Sequence, residues 1–266
     1  RLRLSSSPWR TLSLFALSRL LLRSIPRFGK DDKSRAKAGY GHERKAANHR
    51  CGGAVMIISR GRNYIFVHIP KTGGTSLALA LEARAMKDDL MLGDTPKAVK
   101  RRKRLSGAAS AGRLWKHATL ADIEGVVTRQ EIARMFAFAL VRNPWDRMVS
   151  YYHWLRAQGF DHPAVGLAKS LAFDAFVQTP TVQGSLLASP YGSYMRDGAD
   201  EDQSNLFIRI EHFAQDAQPL FDHLGFDLTL PHANASDRAA GYGDYYTPQT
   251  RDLIATTCAE DIARFG

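Results

Sequence analysis

The string PKTGGTS, residues 70 to 76, follows by one residue an apolar run, Tyr64 to His68, of the kind that forms a buried strand. A strand that ends in a glycine-containing turn and opens a helix presents free backbone N–H groups and the positive end of the helix dipole to an anion. Gly73 and Gly74 permit close backbone approach, Thr72, Thr75 and Ser76 offer hydroxyls, and Lys71 supplies a point charge. The chemistry on offer is the holding of a phosphate or a related oxyanion. In the usual nucleoside triphosphate loop, GxxxxGK[ST], the Lys follows the glycines and sits beside a metal-binding hydroxyl. Here the Lys comes first, which argues against a routine ATPase or kinase. The same residues could instead be a tight strand-to-helix turn with an incidental Lys.

A second constellation is ALVRNPWDRMVSYYHW, residues 139 to 154. Arg142 leaves the end of an apolar run. Asn143-Pro144 is a capping residue followed by proline at the first helical position, with Asp146 three residues after Asn143 as an imperfect capping box. On the helix that follows, Asn143, Arg147 and Ser150 fall on one side. A guanidinium at Arg142 could bind a phosphate bidentately with the Ser150 hydroxyl assisting. It could equally be a structural ion-pair partner, with Asp146 within reach.

Together these stretches resemble a known family. HIPKTGGTS followed by LVRNPWDRMVSYY is similar to the 5′-phosphosulfate loop and the 3′-phosphate motif of sulfotransferases that use PAPS (3′-phosphoadenosine 5′-phosphosulfate), in particular the carbohydrate and heparan sulfate O-sulfotransferase branch. LFIRIEHFAQDAQPLFDHLGF and YYTPQTRDLIATTCAEDIARFG resemble that family's later strand-helix unit and C-terminal helix. The resemblance covers most of 62 to 266 and none of 1 to 55. It implies that Lys71 holds the bridging or sulfuryl oxygens of PAPS, that Thr72, Gly73, Gly74, Thr75 and Ser76 cradle the 5′-phosphosulfate, and that Arg142 and Ser150 take the 3′-phosphate. It implies PAPS as co-substrate and no metal.

Sulfuryl transfer to an alcohol needs a general base near the acceptor oxygen, and imidazole suits that at neutral pH. The stretch WKHAT resembles the place where heparan sulfate sulfotransferases put such a His, which makes His117 the candidate, against the plainer reading of a structural His. His68 is expected to orient the loop and His153 to pack. PHANASDR, 231 to 238, resembles the family's late loop over the nucleotide, so Ser236 and Arg238 are candidates for the 3′-phosphate or adenine; a plain surface turn fits equally.

These residues need elements to position them. Apolar runs predict strands at 64 to 68, 136 to 141 and 206 to 210, each followed by a helix: one from about Gly74, one from Pro144, one over about 212 to 224 ending at Gly225. A last helix is predicted from near Pro248 to about Arg264. That order predicts an α/β, P-loop-like three-layer fold with a central parallel sheet flanked by helices. Two long stretches, 87 to 130 and 158 to 204, read as irregular and are places where an acceptor could be selected. Within the first, Lys97 and Lys100 to Arg104 form a basic run that is either a solvated loop or a seat for an anionic acceptor.

The formal net charge is +11, from 37 Lys and Arg against 26 Asp and Glu. Thirteen of the basic and three of the acidic residues lie in 1 to 55, so the remainder is close to neutral. A nucleic-acid or polyanion-binding protein without catalysis, which the total charge suggests, therefore has little support in 56 to 266. A nucleotide kinase or NTPase with a variant loop is the other alternative. Met56 is the first methionine, and the Arg- and Ser-rich segment before it resembles an organelle transit peptide. We expect 1 to 55 to be a disordered or non-native extension and 56 to 266 to be the catalytic domain. The apolar run 11 to 22 is interrupted by Arg19 and falls short of the ~20 residues that a membrane helix needs. Cys51 and Cys258 lack disulfide or metal-ligand spacing, which fits a reducing compartment. The expected setting is cytoplasmic, or peripheral at a membrane, with a carbohydrate or another hydroxyl-bearing acceptor.

Overall fold

The computed structural model describes residues 53–230 and 241–266. The expected extension up to residue 52, and Ser236 and Arg238, lie outside them. Five strands form one sheet: β1 (Val55–Ser59), β2 (Tyr64–Val67), β3 (Leu90–Gly93), β4 (Phe136–Val141) and β5 (Leu206–Arg209), in the order β3-β1-β2-β4-β5. β2, β4 and β5 are parallel, as the spacing of strands and helices requires. β1 is antiparallel to both β2 and β3. The sheet is thus mixed rather than wholly parallel. The cause is local: only residues 60 to 63 join β1 to β2, and so short a connection permits nothing but a hairpin. The whole of β1 is buried, and Met56 sits inside it, so the folded body reaches back past the boundary expected at Met56.

Side chains alternate across the sheet, as the two-residue period of a strand demands. Val55, Ile57, Tyr64, Phe66, Phe138, Leu140 and Ile208 face one way, against α1 (Gly74–Ala83), α2 (Pro96–Arg101) and α9 (Gln218–Leu224). Met56, Ile58, Ile65, Val67, Ala137, Ala139 and Val141 face the other, against Ala118, Leu120 and Ile123, α3 (Arg129–Arg134) and Phe265 at the end of α11 (Ala259–Phe265). These are the three layers. A separate helical core joins α4 (Pro144–Arg156) to α5 (Pro163–Ser170), α6 (Phe173–Val177), α7 (Pro180–Leu187) and α10 (Pro248–Thr257), with Tyr152 and Phe176 buried at its centre. The helix expected at 212 to 224 is split into α8 (Phe213–Asp216) and α9 at Ala217, two residues before Pro219; the last one breaks at Cys258. No helix among the described residues is long and apolar enough to cross a membrane.

Asn143 starts α4 as expected: its side-chain oxygen accepts from the N–H groups of Trp145 (3.1 Å) and Asp146 (3.3 Å). The capping box is not completed by Asp146. The Asn143 N–H donates instead to Glu211 after β5, at 2.8 Å, tying the head of α4 to the neighbouring strand. Asn143→Ala is expected to cost about 1 kcal/mol of stability, read as a lower midpoint in urea denaturation.

Candidate active site

β2 delivers the chain into the loop His68 to Gly73, and α1 leaves it. The N-cap of α1, Gly73, has φ 80° and no side chain caps the helix, so the first-turn N–H groups and the dipole face the loop. Two glycines are required here for separate reasons. A β-carbon on Gly73 would sit 1.9 Å from Cδ1 of Ile210, in a left-handed conformation that disfavours any side chain. On Gly74 it would meet the His68 ring at 2.2 Å. His68 therefore fills the space that Gly74 leaves, as an orienting residue should, and it is buried.

Lys71 adopts φ 66°, an uncommon conformation for a residue with a β-carbon and one found where the surroundings over-determine the backbone. Its ammonium lies 5.5 Å from the centre of the Trp154 ring, on the last turn of α4. Thr72 departs from expectation. It is fully buried and its hydroxyl donates to the carbonyl of Ile69 at 3.0 Å, so that hydroxyl shapes the turn and only the backbone N–H is left for an anion. Ser76 N–H donates to the Gly73 carbonyl at 3.2 Å, closing the first turn, and Thr75 is partly exposed beside it.

Arg147 was read from the sequence only by its helix face. Its Nε donates to the Pro70 carbonyl at 3.1 Å, and its guanidinium lies 4.6 Å from the centre of the Tyr191 ring. α4 thus holds the loop from below. Arg142 is in the ion pair that the sequence allowed: Nη2 and Nε lie 2.6 and 2.7 Å from one oxygen of Asp146, with both side chains largely buried. It lines a cleft of about 120 Å³ with Asn143, Arg209, His212 and Tyr191. Ser150, two turns along α4, is buried but is not part of that wall, so the structure does not bring the two expected 3′-phosphate residues to one cleft.

His117 lies beside the loop. Its Nδ1 is 2.8 Å from the carbonyl oxygen of His68, and a carbonyl can only accept, so Nδ1 carries the proton and Nε2 keeps a lone pair. Its ring lies 4.9 Å from that of His68 and 5.0 Å, edge-on, from Trp115. Its pKa is lowered to about 4: burial is the largest influence, and Lys116 and Arg147 act in the same direction, against the hydrogen bond to His68 and the charge of Asp94. Burial, then repulsion of a second positive charge by His117 when protonated and by Lys116 and Lys71, holds His68 well below the usual range. Both rings are therefore neutral at ordinary pH. His153 is a packing residue whose Nε2 meets the Tyr245 hydroxyl at 3.1 Å.

A helix head open to an oxyanion, with a lysine and a neutral imidazole beside it, is suited to holding a phosphate-like group. The chain belongs to the Sulfotransferase family, whose model matches residues 55–219. PAPS is the co-substrate that this membership supports. No curated protein matches the sequence. Among solved structures, the chain is similar to the crystal structure of mouse sulfotransferase SULT7A1 complexed with PAP, with 19% identity over 77% of this chain and 85% of that chain and a TM-score of 0.45.

Two measurements check this geometry. Gly73→Ala should destabilise by about 2–4 kcal/mol through strain and overpacking, and a double-mutant cycle should show a smaller loss in an Ile210→Ala background. A His whose folded pKa falls from 6.5 to about 4 takes up a proton on unfolding between those values. Stability is then fullest above pH 6.5 and falls as pH drops toward 4. In urea denaturation at about pH 5, His117→Gln should remove roughly one of the protons taken up.

Proposed function

We propose that the protein transfers the sulfuryl group of PAPS to a hydroxyl of a carbohydrate or glycolipid-type acceptor, with His117 as the base. The observation that carries the reading is the bond from His117 Nδ1 to the His68 carbonyl, which leaves Nε2 basic beside the phosphate-type loop. PAPS supplies an activated sulfuryl group. In an in-line displacement the acceptor oxygen bonds to sulfur as the bond from sulfur to the phosphate oxygen breaks, and PAP leaves. Nε2 of His117 receives the acceptor proton. Lys71 and the N–H groups of residues 72 to 75 stabilise the charge that builds on the sulfuryl and leaving oxygens, as preorganised donors do in phosphoryl transfer. Arg142, with donors of Nη1 uncommitted among the described residues, serves the 3′-phosphate, whereas Ser150, which is not part of the Arg142 cleft, is given no share in it. Asp146 neutralises part of the Arg142 charge, so its share is geometric more than coulombic. Ser236 and Arg238 complete the nucleotide site.

Labelled PAPS offered with a panel of glycans and glycolipids tests the reading. Lys71→Ala should abolish transfer, at least 100-fold, while Arg142→Ala should chiefly weaken PAPS binding, by about tenfold. PAP should raise the melting temperature, since only a ligand of the folded state stabilises it. A shift with ATP and none with PAP would instead support the nucleotide kinase reading.

A further inference from the structure

A groove of about 700 Å³ lies along β3 and the turns that follow it, separate from the loop. Its place follows from strand direction. β1 is antiparallel to both β2 and β3, so β3 runs the same way as β2 and its carboxyl end lies at the end of the sheet that carries the loop. Ile57 pairs with both Phe66 and Met91, which puts Gly93 level with His68, two strand spacings or about 10 Å away. One wall is continuous with the candidate base: Trp115 and Lys116 line the groove, and the Trp115 ring meets His117 edge-on.

The lining has two kinds of chemistry. Met91, Leu92, Val99, Leu105, Leu114 and Trp115 make it apolar, and Val99 and Trp115 are 49% and 37% exposed. Arg102 and Lys103 bring positive charge, while Lys116 pairs with Asp94 in the same wall. The basic run from Lys97 to Arg104 is largely committed to the protein itself: Lys97 donates to the Glu82 carbonyl, Arg101 to that of Asp89, Arg102 to that of Gly93, and Arg104 to that of Lys87. Lys103 makes no such bond among the described residues. The polar acceptors in the wall are few. Asp94 is occupied by Lys116 at 2.7 Å and by the Ala54 N–H at 2.6 Å, which leaves Ser106. A surface dense in sugar hydroxyls would find few partners here, whereas an apolar body would fill the floor and an anionic group would meet the cations.

We propose that this groove is the acceptor site, and that the acceptor is an amphiphilic alcohol with an apolar body and an anionic group, its hydroxyl directed past Trp115 to His117. This rests on the sulfuryl transfer proposed above; it keeps the amphiphilic side of the acceptor range given there and sets the purely carbohydrate side aside. The test uses the full chain with PAP bound and 12-hydroxydodecanoate as probe, with 1,12-dodecanediol as its neutral counterpart and heparosan as a polyanion without an apolar body. Isothermal titration should show the hydroxy acid binding at least tenfold more tightly than the diol. Lys103→Glu should remove that preference, and Val99→Glu should weaken both probes, while the melting shift with PAP is unchanged in each variant. Labelled PAPS should then mark the hydroxy acid. Binding of the hydroxy acid that neither variant alters, or no binding to a chain that still responds to PAP, would overturn the groove assignment. Heparosan binding that displaces the hydroxy acid would overturn the amphiphile. Absence of the PAP shift in the unaltered chain would instead remove the sulfotransferase site on which the proposal rests.

Discussion

The site depends on one hydrogen bond, from Nδ1 of His117 to the backbone carbonyl of His68. It couples two segments that are 49 residues apart and fixes the tautomer of the imidazole. Because the acceptor is the backbone at the end of β2, the imidazole is referenced to the same strand that aims the loop. The chain around His117 is irregular, yet it is firmly held. Ala118, Leu120 and Ile123 are buried in the core, the N–H groups of Leu120 and Ala121 donate to the carbonyls of Tyr194 and Arg196, and Thr119 and Asp122 bond reciprocally through their side chains and N–H groups.

The loop is constrained at three further points. The His68 ring occupies the space beside Gly74, Ile210 after β5 occupies that beside Gly73, and Arg147 of α4 holds the Pro70 carbonyl. The first contact lies within the loop and the other two come from the segment after β5 and from α4, so the cradle is positioned by its own fold and by the packing of the sheet on its helices. The buried histidines add an electrostatic consequence. Neutral rings do not compete with Lys71 and the helix head for an anion, and they keep a basic nitrogen available where an ordinary imidazole would be partly protonated.

Much of this was legible in the sequence, because the decisive features are local. Apolar runs marked β2, β4 and β5; glycines after a strand marked the loop; Asn143-Pro144 marked α4. β1 was missed because a boundary was drawn through it at Met56, although VMIIS is as apolar as the other strands. β3 offers only three apolar residues in a row, Leu90 to Leu92, between Asp89 and Gly93. The start signal that identified α4 recurs at Thr95-Pro96, His162-Pro163 and Thr179-Pro180, and each begins a helix in the stretches read as irregular. Those helices are short, so their apolar spacing is weak and only the proline announces them. The roles of Arg147, Ile210 and Trp154 were not legible, since they arise from contacts between distant segments. The Arg142–Asp146 pair was legible as an alternative, because residues four apart on a helix meet.

The central claim is that His117 acts as a neutral base beside a sulfuryl-binding loop. Its most direct test is the pH dependence of kcat/KM for sulfuryl transfer from PAPS, measured for the unaltered chain and for His117→Asn. The account predicts an acid limb near pH 4, in line with the lowered pKa of His117, and a loss of at least about 100-fold in the variant with the melting shift by PAP retained. A variant that transfers at the rate of the unaltered chain would contradict it.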